Sequence, residues 1–198
     1  MVVLPAPPEK GPFAPAPLDR VQALVNTRVL HHDPTLVRDH LDGPGALAAW
    51  WDHWGRPVDA AAVTEDDVDA ARTAREGLRA LLALHNASVQ DEDQRAVERL
   101  DALAAGLPLR LSFATTDQVA VLPLAPGGAR GALLELLAAI PPCRVDGTWS
   151  RLKVCRAADC REAFYASSRN RSRAWCSMDL CGGRAKQRAF AERHRQHH

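Results

Sequence analysis

The sequence predicts a mainly α protein with one small β-hairpin, an α+β chain in which a helical N-terminal region precedes a small module held by four cysteines. Three observations carry this expectation. Apolar residues recur at helical spacing in several segments from Leu18 to Ala105, and again from Ala129 to Ile140. Between those regions the period drops to two in LPLRLSF and QVAVLPL. Four of the five cysteines fall between Cys155 and Cys181 as two pairs with the same four-residue gap.

Residues 1–17 hold six of the fourteen prolines and only two charged residues, Glu9 and Lys10. That composition predicts a disordered tail. A helix then follows from Leu18, with Leu18, Val21, Val25 and Val29 on one face, ending near His31-His32-Asp33-Pro34. The adjacent histidines read as a solvated helix end in preference to a metal pair. Asn26 and Arg28 are candidates to face a small-molecule pocket, although a helix surface would carry the same residues. Asp42-Gly-Pro-Gly opens a short helix over 46–54, where Trp50, Trp51 and Trp54 cluster on about one turn. They are candidate lining for an apolar ligand site, with packing in or over the core as the competing reading.

Thr64 to Ala87 carries the clearest helical signal. Thr64 can cap it, Glu65, Asp66, Asp67 and Asp69 suit its positive end, and Val68, Ala71, Leu78, Leu81 and Leu82 draw an apolar stripe. Asp91 to Ala105 repeats the pattern through Val97, Leu100 and Leu103, closed by Gly106. The hairpin comes next, its second arm marked as an edge by Pro123. A leucine-rich helix over 129–140 ends at Pro141-Pro142, where the boundary is expected. This divides the chain into a tail (1–17), a helical domain (18–142) and a C-terminal module (143–198). Cys143 stands alone as an inert thiol.

The paired spacing of Cys155-x4-Cys160 and Cys176-x4-Cys181 is that of a metal knuckle. Two tight turns can bring four thiolates to the corners of a tetrahedron about 2.3 Å from a zinc ion. A disulfide framework fits poorly with an odd cysteine count and no signal peptide, and a redox pair prefers a two-residue gap. An iron–sulfur cluster accepts the same ligands, but nothing nearby suggests electron transfer. Four cysteines leave no open coordination position, so the expected cofactor is one structural zinc per chain, bound by Cys155, Cys160, Cys176 and Cys181. Short strands over 151–154 and 163–166 and a helix from about Cys181 to the end complete the module. Its few apolar side chains need a staple, and zinc contributes about 10–16 kcal/mol in peptide fingers.

The run Cys155-x4-Cys160, SRNRSRAWCS (168–177) and Cys181-Gly-Gly-Arg184 resembles the bacterial CGNR zinc-finger family, in which the finger follows an ABATE domain described as a stress-induced transcription regulator. VNTR (25–28) is similar to the opening of that domain. Gly183 stands where the family has asparagine. The resemblance implies a DNA-binding finger with a stress- or effector-sensing N-terminal domain.

Charge sharpens the division. Residues 151–198 carry twelve Lys/Arg against four Asp/Glu, and the remainder thirteen against twenty. A zinc ion with four thiolates adds two negative charges, and the finger stays basic. On an ideal helix Arg184, Arg188 and Arg195 lie within about 40° of one another. Arg169, Arg171 and Arg173 alternate in the preceding loop. With Arg184, Lys186 and Arg188 they form the expected DNA-binding set, because guanidinium suits phosphate and guanine.

The competing function is a zinc-stapled protein–protein interaction module, the basic half facing an acidic surface. An enzyme is not expected: no Gly-rich phosphate loop, nucleophile elbow or HExxH pair occurs. The longest apolar run, GALLELLAAI, is interrupted by Glu135, far short of the about 20 residues of a membrane span. The expectation is a soluble cytoplasmic protein whose partners are duplex DNA and a small-molecule effector, with a homodimer compatible.

Overall fold

The structure, a computed structural model, describes residues 13–30, 33–106, 108–115, 118–124 and 127–196. The fold is α+β. Its axis is α3 (Glu65–Leu84), against which α1 (Leu18–Asn26), α2 (Pro44–His53), α4 (Asp93–Ala105) and α5 (Gly128–Ala138) all pack. Thr64 and Asp67 start α3 with a reciprocal capping box, the Thr64 hydroxyl accepting from Asp67 N–H and the Asp67 carboxylate from Thr64 N–H. Of the expected stripe, Val68, Ala71, Leu78 and Leu82 are fully buried, and Leu81 packs at its margin. Close approach of α4 depends on Gly77, where a Cβ would lie 2.4 Å from Leu100 Cβ.

Helix α1 ends earlier than its apolar spacing suggests. Thr27 turns its hydroxyl back onto Leu24 O at 2.7 Å, and the chain leaves in extended form. Leu18, Val21 and Val25 are buried as expected, but Val29 instead enters β1 (Arg28–Val29), paired antiparallel with β2 (Arg38–Asp39), and is half-exposed. This ribbon has no signal in the sequence. His31 and His32 lie outside the described residues, as do the first twelve residues of the expected tail. Its last part is packed: Ala14 is buried and its N–H donates to Gln22 Oε1 at 2.8 Å.

The hairpin forms as β3 (Leu109–Thr115) and β4 (Gln118–Pro123), antiparallel, with a register irregularity between Ser112 and Thr115. Pro141 and Pro142 do not break the chain. They sit in the first turn of α6 (Ile140–Val145), where a missing N–H costs nothing, so the prolines start a helix where the sequence reading had one stop. Cys143 on α6 is buried, and burial raises its thiol pKa. Beyond it β5 (Leu152–Val154) pairs antiparallel with β6 (Ala163–Tyr165).

One core runs through both regions. Leu152, Val154 and Ala163 belong to the same buried cluster as Leu18, Trp50 and Leu133. A second, smaller cluster holds Cys155, Ala157, Phe164, Ala166, Cys176 and Cys181. The last helix, α7 (Gly183–Gln196), follows the second pair of cysteines. Among the described residues no helix is long and apolar enough to cross a membrane.

Candidate metal centre

The two strands β5 and β6 present the first knuckle. Cys155 N–H donates to Glu162 O at 2.9 Å, and Cys160 N–H to Ala157 O at 2.9 Å, closing a turn that brings both sulfurs to one side. Arg161 leaves that turn with a positive φ of 49°. The second knuckle is a π-helical turn, Met178–Gly182, started by Ser177, whose hydroxyl accepts from Leu180 N–H. Arg156 N–H donates to Ala174 O and ties the knuckles together.

All four sulfurs lie within 4.8 Å of one another, with Cys160 and Cys176 at 3.5 Å and Cys176 and Cys181 at 3.7 Å. A tetrahedron with bonds of about 2.3 Å has edges of about 3.8 Å, so the donor set fits zinc. The thiols cannot all ionise without a cation. Hydrogen bonds from Cys160 and Cys176 hold Cys155 far below the usual thiol value, while their bonds to Cys155 push Cys160 and Cys176 up. Arg184 donates to Cys181 Sγ at 3.4 Å and offsets part of the thiolate charge. The four cysteines supply one structural zinc site. Cys143 is not among them.

The remaining expected site residues separate by task. Arg173 lies over the Phe164 ring at 4.9 Å and donates to Trp175 O and Cys176 O, so it braces the second knuckle. Arg184 pairs with Asp159 at 3.5 Å besides its bond to sulfur. Arg169, Arg171, Lys186 and Arg188 are exposed. Arg171 donates to Ser150 Oγ and Arg188 reaches Asp159 at 3.4 Å. Arg169 and Lys186 make no hydrogen bond or ion pair among the described residues.

The candidate ligand residues are largely engaged by other parts of the fold. Asn26 spends both polar atoms on the backbone of β6: Nδ2 donates to Ala163 O at 3.0 Å and Oδ1 accepts from Ala163 N–H at 2.7 Å. Arg28 is exposed and pairs with Glu76 at 3.5 Å. Trp50 and Trp51 are packed edge to face in the core, 1% exposed each, with indole N–H groups that meet no acceptor among the described residues. Trp54 packs beside Trp50 and Phe13. Three adjacent indoles bury too much apolar area to stay at a surface, and the core takes two of them.

The residues missed by sequence reasoning are those that seat the finger. Arg79 donates to Arg161 O (2.9 Å) in the finger and to Val25 O (2.6 Å) at the end of α1. Asn86 donates to Val154 O and Ala174 O, and His85 Nδ1 lies 2.8 Å from Leu152 O. Arg161, one of the twelve basic residues of 151–198, is buried and held by both oxygens of Asp93 at 2.7 and 2.8 Å and by Gln90. One signal for this existed. Arg75 and Arg79 fall on the apolar face of α3, where a charge needs a buried partner.

Sequence profiles of known families match the chain in two places. Residues 151–194 match the CGNR zinc finger, and residues 18–140 match ABATE, described as "Putative stress-induced transcription regulator". A search of curated proteins finds no match. With the latter profile spanning more than half of the chain, the protein belongs to the ABATE family and carries its zinc site in a C-terminal CGNR finger.

Proposed function

We propose that the protein is a transcription regulator whose finger binds duplex DNA through the phosphate backbone, using Arg169, Arg171, Lys186 and Arg188, with Arg173 and Arg184 supporting from within the knuckle. The observation that carries this reading is the exposure of α7, in which every side chain from Lys186 to Arg195 is open to solvent. A helix polar nearly all round gains little from packing, and this one carries Lys186, Arg188, Arg193 and Arg195 against the single acid Glu192. The family description supports regulation in general. On this reading residues 18–142 sense and residues 143–198 bind.

Four phosphate contacts give a slope of log K against log salt of about −3.6, so raising salt from about 50 to about 200 mM weakens binding about a hundredfold. Fluorescence anisotropy of the zinc-loaded protein on duplexes of mixed sequence measures this. No binding at the lower salt sinks the DNA reading. It then yields to a protein–protein module, which the exposed Met178, Leu180 and Phe190 on and beside α7 favour.

A further inference from the structure

A cavity of about 390 Å³ lies in the finger between the loop after β6 and the turn of the second knuckle. That volume falls in the range of small-ligand sites, about 300–1,000 Å³. Trp175, Met178 and Ala174 supply its apolar surface, and Ser167, Ser168 and Ser172 line it with hydroxyls. Among the described residues none of these hydroxyls is engaged in a hydrogen bond. Trp175 is half-buried, and Gly182 sets its place. A Cβ on Gly182 would lie 3.3 Å from Trp175 Cδ1 and 2.9 Å from Met178 Sδ, so glycine lets both side chains settle against the π-helical turn.

The rim of this cavity is basic and held in place. Arg171 N–H donates to Ser168 O at 3.2 Å and closes a turn, with Arg171 at a positive φ of 49°, that sets Arg169 and Arg171 between two residues of the cavity wall. Arg151 anchors the turn through Ala166 O and Ser168 O at 3.2 and 3.1 Å, and Lys153 Nζ donates to Arg171 O at 2.5 Å. Arg173 completes the wall, its guanidinium committed to the second knuckle. No carboxylate lines the cavity among the described residues. An aromatic and apolar floor under a cationic rim suits an anionic ligand with a flat, uncharged body. Nucleotides in a strand have that division, with bases that stack on indoles and phosphates that meet arginine.

We propose that this cavity receives one unpaired nucleobase of bound DNA, stacked on Trp175, while Arg169 and Arg171 meet the flanking phosphates. A hydroxyl both donates and accepts, so Ser167, Ser168 and Ser172 can serve the edge of any base, and the site reads the absence of pairing and not sequence. Extruding a base from an intact duplex costs about as much as one stack returns, so a base that is already unpaired is favoured. The inference rests on the nucleic-acid reading of the finger and adds to it a preference for bulged or mismatched sites.

The test is fluorescence anisotropy of the full-length zinc-loaded protein, at about 50 mM salt, on three duplexes: fully paired, carrying one bulged thymine, and carrying an abasic bulge that reproduces the bend without the base. The bulged thymine is expected to bind about tenfold tighter than either of the others. Trp175→Ala should erase that difference and Trp175→Phe should keep most of it. Because Trp175 adjoins a zinc ligand, Ser172→Leu, which fills the cavity from an exposed loop position, should erase the difference in a protein of unchanged zinc content. A 5-iodouracil in the bulge should photocross-link to Trp175. Equal affinity for the bulged thymine and the abasic bulge, a preference that survives in folded Ser172→Leu, a cross-link to another residue, or displacement by millimolar thymidine monophosphate overturns the proposal and leaves duplex binding standing. Failure to bind any of the three duplexes ends both.

Discussion

Asn26 on α1 and Ala163 on β6, 137 residues apart, close a two-bond ring, amide to backbone in both directions. This pairing joins the first helix to the finger as a further strand would. Gln22 adds a weaker third bond to Ala163 O, at 3.3 Å.

Replacing Asn26 by alanine leaves the N–H of the buried Ala163 without its acceptor and the carbonyl with only the long bond from Gln22. Stability should fall by about 1–3 kcal/mol, read as a shift in the urea midpoint at constant m value. Asn26→Asp should lose nearly as much, because a carboxylate cannot donate to Ala163 O.

Zinc removal should be felt beyond the finger. The sequence suggests a metal-dependent end attached to independent helices, but Leu152, Val154 and Ala163 lie in the main core and Arg79, Asn86 and Asn26 all bond to finger backbone. A chelator is expected to raise amide exchange at α1 and the last turns of α3 as well as over 155–183. Unchanged protection in those helices would mean that the two regions fold separately.

Two arginines of the loop should behave oppositely. Arg173→Ala loses the contact with Phe164 and two carbonyl bonds, and should cost about 1–3 kcal/mol and weaken zinc retention. Arg169→Ala should change stability by less than about 0.5 kcal/mol while lowering DNA affinity. Equal thermal shifts in the two variants would contradict this division.

Gly77→Ala normally favours a helix by about 1 kcal/mol. Here the methyl would meet Leu100 Cβ at 2.4 Å, so the expected result is a loss of about 1–3 kcal/mol from overpacking of α3 against α4. Thermal denaturation decides the sign.

His85 sets a pH dependence. Burial lowers its imidazole pKa from the usual value, with Arg144 and Lys153 adding to the effect and the bond to Leu152 O opposing it. A group with a depressed folded pKa that is neutral when deprotonated binds more protons unfolded. Its contribution is therefore complete above the unfolded value of about 6.5 and is lost as pH falls through the folded one. Between about pH 7.5 and 5.5 the urea midpoint of the parent should fall more than that of His85→Gln.

The main helices, the β3–β4 hairpin and the metal ligands were legible in the sequence because their signals are local, whereas the β1–β2 ribbon and α6 were not. Helical and strand periods record which side of a segment meets apolar neighbours, and two cysteines four residues apart can share an ion whatever lies elsewhere. The cap at Thr64 was legible for the same reason, and the structure adds the reciprocal bond from Asp67. Where α1 ends, where Pro141 and Pro142 lead, and which arginines remain open were decided by tertiary structure. Thr27 folds back on Leu24, the prolines enter a new first turn, and Arg161 and Arg173 are taken up by Asp93 and by the knuckle itself. The seating of the finger was the least legible of all. Asn26, Arg79, Asn86 and His85 meet backbone groups of the finger, and a carbonyl or an N–H is present at nearly every residue, so the sequence bears no mark of which ones a side chain will find.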